Sequence, residues 1–74
     1  MTIRMYLNGR PAGFLQFSGG HALVSPEAWG VIPRLPVTIF PSLDPTHSLE
    51  ALVGMSGRPI VLPGIGVLTV EVTR

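Results

Sequence analysis

Strict alternation marks both ends of this chain. Residues 2–7, TIRMYL, put Ile3, Met5 and Leu7 on one side and Thr2, Arg4 and Tyr6 on the other, the period-two pattern of a strand with one buried face. Residues 66–73, GVLTVEVT, repeat it, with Leu68, Val70 and Val72 opposite Thr69, Glu71 and Thr73. Between them the turn residues cut the chain into short runs. NGRPAG at 8–13 is rich in turn formers, and Pro11 argues for a longer loop rather than a two-residue hairpin. GFLQFS at 13–18 is the returning strand, Gly19-Gly20 a second turn, and HALV at 21–24 a third strand.

SPEAWG then predicts one helical turn over about residues 26–29. Ser25 stands as N-cap, Pro26 at the first helical position, Glu27 where it complements the dipole, and Gly30 at the stop. Val24 packing on Trp29 would make a hydrophobic staple, with the only tryptophan anchored in the core. VTIF at 37–40, fenced by Pro36 and Pro41, reads as a fourth strand. Asp44 and Pro45 open a short α-helix over about 45–53, whose Leu49, Leu52 and Val53 form an i, i+3, i+4 stripe ending at Gly54. GMSGRP leads into PIVL at 59–62, and PGIG turns the chain into the last strand. The expected fold is mainly β, a small barrel or two-layer sandwich of about six short strands with these two helical pieces, forming a single domain over residues 1–74.

The middle strands depart from simple alternation. GFLQFS sets Phe14 against Leu15 and Phe17, VTIF sets Val37 and Ile39 against Phe40, and PIVL sets Ile60 and Leu62 against Val61. Strands apolar on both faces need cover on both. One short helix supplies little cover, so Phe14, Phe17, Val37, Ile39, Phe40, Ile60, Val61 and Leu62 are the candidate contacts with a neighbouring protein. Apolar edge strands call for pairing or cover for the same reason.

Composition sharpens this expectation. Apolar residues and glycine make up about 57 per cent of the 74 residues, against a usual share of about 45–50 per cent, while charged residues are 12 per cent. The net charge is +1, a weak electrostatic defence against association. A domain of this size buries only about 60–65 per cent of its unfolded surface. With no cysteine present, neither a disulfide nor a thiolate metal site supports it, leaving tight packing or a partner. No uncharged stretch reaches the roughly 18 apolar residues of a membrane span. Arg4 and the absence of a continuous apolar run before Asn8 argue against a signal peptide, which leads to an expected location in the cytoplasm or within a viral particle.

Candidate chemistry is sparse. Asp44, Thr46, His47 and Ser48 contain triad-type residues, but neighbours in a first helical turn point in different directions and read as helix-capping groups. His47, Glu50 and His21 compose a two-histidine, one-carboxylate metal set only if His21 reaches the helix, and solvent-exposed positions are the simpler assignment. The glycine pairs of GMSGRP and PGIG lack the Gly-Lys-Ser/Thr of a phosphate loop. Five scattered arginines without lysine give no basic run, and Phe14 and Phe17 have opposite parity, which argues against a stacked nucleic-acid platform beside Arg4, Arg10 and Tyr6. PRLP at 33–36 spells a polyproline docking motif, but its fusion to an apolar strand favours prolines that shape a loop. No catalytic residue, metal ligand or cofactor is expected.

MYLNGRPAGFLQFSGGHALVSPEAW, residues 5–29, resembles the start of the amino-terminal subdomain of HipA-type toxin kinases in its order of strand, NGR, Gly, strand, Gly-Gly, strand and proline-acidic-tryptophan turn. The likeness spans about a third of the chain and does not continue past residue 30. It implies a small non-catalytic regulatory module that inhibits or modulates a larger enzyme or complex. The leading expectation from the residues themselves is a non-enzymatic structural or assembly protein, a subunit of a homo-oligomer or of a larger particle such as a virion-like capsid, decoration or tail component. A small-barrel nucleic-acid binder is the remaining alternative.

Overall fold

The computed structural model describes residues 1–40 and 45–74. It is mainly β. Strands β1 (Thr2–Leu7), β2 (Arg10–Ser18), β3 (His21–Val24), β4 (Ile60–Leu62) and β5 (Gly66–Thr73) form one antiparallel sheet in the order β3-β2-β1-β5-β4. The sheet stays open, with β3 and β4 at its two edges, so the barrel alternative is not realised. The sandwich-like second layer comes from the connection between β3 and β4. It contains 3-10 turns over Pro26–Gly30, Ile32–Arg34 and Pro45–Ser48, and the helix α1 (Leu49–Gly54).

The register fixes the two faces. Ile3 pairs with Leu15 and Val72, and Met5 with Val70, all on the inward side; Arg4 pairs with Phe14 and Glu71 on the outward side. Phe17, Ile60, Leu62 and Leu68 join the inward face and pack with Ala28, Val31, Ile32, Leu35, Ile39, Phe40 and Leu52 in one core. Burying such side chains is worth about 1.5–3 kcal/mol each before the cost of ordering the chain.

Three local expectations are corrected. The first hairpin closes through a two-residue turn, Asn8-Gly9, with φ of 53° and 79°, the left-handed pair that matches strand twist. Pro11 is tolerated inside β2 because it lies beyond the reach of β3, which pairs only with Leu15–Ser18. Its opposite number is Tyr6, and the register shift next to that pair leaves Ala12 without a facing residue, a β-bulge. Asn8 also clips the hairpin to the start of β5: its Oδ1 accepts from the Val67 N–H at 3.0 Å and its Nδ2 donates to the Ile65 carbonyl at 3.3 Å.

Trp29 is the second correction, being 43% exposed rather than anchored in the core. The inward position of that 3-10 turn belongs to Ala28, whose backbone lies so close to Gly13 that a Cβ there would come within 2.5 Å of the Ala28 nitrogen. The slot admits only small groups, and the next side chain turns outward. Ser25 occupies the N-cap position without capping the turn. Its buried hydroxyl instead accepts from the Phe14 N–H at 2.9 Å, while the Ser25 N–H donates to the Phe14 carbonyl at 3.0 Å, tying the turn to β2.

Third, VTIF is not a strand, which reduces the expected six strands to five among the described residues. The Ile39 and Phe40 N–H groups both donate to the Pro36 carbonyl at 2.9 Å, rolling the segment into a turn. Ile39 and Phe40 then both enter the core, whereas Val37 is 74% exposed. The expected helix is present as a 3-10 start over Pro45–Ser48 followed by α1, with the buried Ser48 hydroxyl donating to the Pro45 carbonyl at 2.8 Å. The proposed cap at Asp44 lies outside the described residues.

Candidate interaction surface

The outward face of the sheet gathers the exposed side chains of chemical interest. Its central row runs Phe14, Arg4, Glu71 across β2, β1 and β5. The Arg4 Nη1 lies 3.8 Å from Glu71 Oε1, with both side chains more than half exposed, a geometry worth about 0–1 kcal/mol. Tyr6 and Thr69 flank this row on one side, and Gln16, Thr2 and Thr73 on the other. Toward β3 stands Leu23, paired with Gln16. At the opposite edge Val61 of β4 faces Val67 of β5, with Val61 69% exposed.

The eight sequence-derived contact candidates separate on this frame. Phe17, Ile39, Phe40, Ile60 and Leu62 are buried within the single chain, so the domain's own second layer supplies their cover. Phe14, Val37 and Val61 remain exposed. Val37 stands apart from the sheet, while Phe14 and Val61 share its outward face. The structure adds Leu23 and Val67 to that face. Both follow from parity, since Leu23 alternates with Val24 and Val67 with Leu68, although each is a single apolar residue on the outward side of its strand rather than part of a doubly apolar run.

A depression of about 490 Å³ opens beside the central row, lined by Arg4, Met5, Tyr6, Pro11, Gly13, Phe14 and Glu27. The close approach of the Pro26–Gly30 turn to Gly13 brings Glu27 beside Phe14. Here Phe14, Tyr6 and Pro11 of the sheet meet two opposite charges, Arg4 on β1 and Glu27 on the turn.

The other chemical candidates do not converge in this way. Among the described residues no three His, Asp or Glu side chains are grouped as metal ligands. PRLP is folded into and just beyond the Ile32–Arg34 turn with Leu35 buried, rather than laid out as an exposed polyproline helix. No helix among the described residues is long and apolar enough to cross a membrane. No known protein family, curated protein or solved structure matches this chain.

Proposed function

We propose that this chain is a non-enzymatic structural or assembly protein, a β-rich subunit that associates with copies of itself or builds into a larger protein particle. The observation that carries the reading is the outward sheet face, where Phe14, Leu23, Val61 and Val67 all stand exposed. Four large apolar side chains on one face of a sheet this small are surface that association removes from water. The remainder of that face is polar, and the Arg4–Glu71 ion pair on it is loose. A net charge of +1 offers little repulsion between copies.

Solution mass over a concentration series tests this directly. Sedimentation velocity should show a discrete species heavier than 7.9 kDa that grows with concentration. A strictly monomeric protein at high micromolar concentration would overturn self-association.

A further inference from the structure

We infer that Asn8 is a site of spontaneous deamidation that the fold itself guards. Asn8 is the chain's only asparagine and is followed by Gly9. Glycine, having no Cβ, is the neighbour that least hinders attack of its own backbone nitrogen on an asparagine side chain. Both residues are exposed at the tip of the first hairpin, within reach of water and base. In the reaction the Gly9 nitrogen gives its proton to base and bonds to Asn8 Cγ. The Cγ–Nδ2 bond breaks, and the leaving amide group takes up a proton and departs as ammonia, which leaves a succinimide ring. Water then opens the ring at either carbonyl, giving aspartate or its β-linked isomer. One water is consumed, one ammonia is released, and nothing is oxidised or reduced.

The folded geometry opposes the first step. The start of β5 holds the Asn8 carboxamide at both ends: Oδ1 accepts from the Val67 N–H at 3.0 Å and Nδ2 donates to the Ile65 carbonyl at 3.3 Å, while the Asn8 N–H donates to the Val67 carbonyl at 2.8 Å. Cγ cannot swing onto the Gly9 nitrogen until the two side-chain bonds release. Turning the intervening peptide toward the side chain would also disturb the left-handed pair, φ of 53° and 79°, that closes the hairpin. Deamidation therefore proceeds through molecules whose hairpin tip has opened. The product does not restore the clip. Aspartate has no Nδ2 to donate to the Ile65 carbonyl, and the β-linked isomer carries the main chain through Cγ, which lengthens the turn and removes the Val67 partner. Either product also adds a negative charge to a chain whose formal net charge is +1, weakening the repulsion between copies.

Peptide mapping by mass spectrometry follows residue 8 in mildly alkaline buffer. The samples are native wild type, wild type in guanidinium chloride, and native Gly66→Ala, whose added Cβ collides with the Asn8 side chain; circular dichroism confirms the fold. Native wild type should convert more slowly than the denatured chain by about tenfold or more, and folded Gly66→Ala should convert faster than native wild type. Converted protein, separated by ion exchange, should have a lower denaturation midpoint than its parent. No conversion in guanidinium chloride, or equal rates in native and denatured wild type, would overturn the guarded site, and this comparison decides the point even where the variant does not fold. A folded Gly66→Ala that converts no faster than wild type would overturn the clip as the guard, and an unchanged midpoint in the converted protein would overturn its loss.

Discussion

VTIF at 37–40 and IVL at 60–62 are both short, apolar, β-prone and fenced by prolines, yet one rolls into a turn and the other becomes β4. What separates them is the neighbourhood. IVL is followed by Pro63, Gly64 and Ile65, where the Ile65 N–H donates to the Leu62 carbonyl at 3.0 Å and returns the chain along β5. That gives IVL a ladder partner within a few residues, at little cost in loop entropy. VTIF has no such return among the described residues, and the Pro36 carbonyl captures both the Ile39 and Phe40 N–H groups instead. Backbone pairing then decides exposure. In the strand the side chains alternate, so Val61 faces out between Ile60 and Leu62; in the turn two adjacent side chains, Ile39 and Phe40, go in together.

The strongest way to break this contrast is Phe40→Ala. With Phe40 only 3% exposed, the change should cost about 3–5 kcal/mol, comparable with the whole stability of a small domain. Urea or thermal unfolding reads the loss, and a cost below about 0.5 kcal/mol would remove Phe40 from the core. Gly66→Ala tests the return that makes IVL a strand. Gly66 has φ of 143°, and an added Cβ would collide with the Asn8 side chain that clips the hairpin. We expect about 1–3 kcal/mol of destabilisation, seen as a lower denaturation midpoint.

Substitutions at the outward valines should separate stability from association. Val61→Thr together with Val67→Thr keeps the β-branched shape and should cost no more than about 1 kcal/mol in stability, while weakening self-association several-fold in sedimentation velocity. Unchanged association would remove the β4 edge from the interface. Val37→Ser should have the smallest effect: its exposed side chain lies off the sheet, so stability should stay within about 0.5 kcal/mol and association should not change. A marked loss of association in Val37→Ser would move the interface to the turn.

The parts of this arrangement that are readable from sequence are those set by local periodicity. TIRMYL and GVLTVEVT become β1 and β5 with the expected faces, because alternation alone assigns a half-buried strand. The helix near 45–53 is likewise readable from its apolar stripe. The faces of GFLQFS and PIVL also follow from parity, with Phe14 and Val61 outward. Long-range packing decides the rest. Trp29 faces out because the Ala28 backbone fits against Gly13, a contact between residues fifteen apart that no local pattern encodes. Pro11 is accommodated in β2 because β3 is short, and VTIF turns as the Pro36 carbonyl takes both the Ile39 and Phe40 N–H groups. As for the candidate surface, its apolar members obey parity, but the approach of Glu27 to Phe14 depends on that same packing at Gly13.

The second layer takes Ile39 and Phe40 into the single-chain core while Val61 and Val67 stand exposed on the outward face, and we propose that a neighbour covers these two valines. Side-chain accessibility to a soluble paramagnetic probe, measured by NMR across a dilution series, tests both halves at once. We predict that Ile39 and Phe40 are shielded at every concentration, whereas Val61 and Val67 are accessible in dilute solution and become shielded as concentration rises. Val61 and Val67 equally accessible throughout, or Ile39 and Phe40 open to the probe in dilute solution, would contradict it.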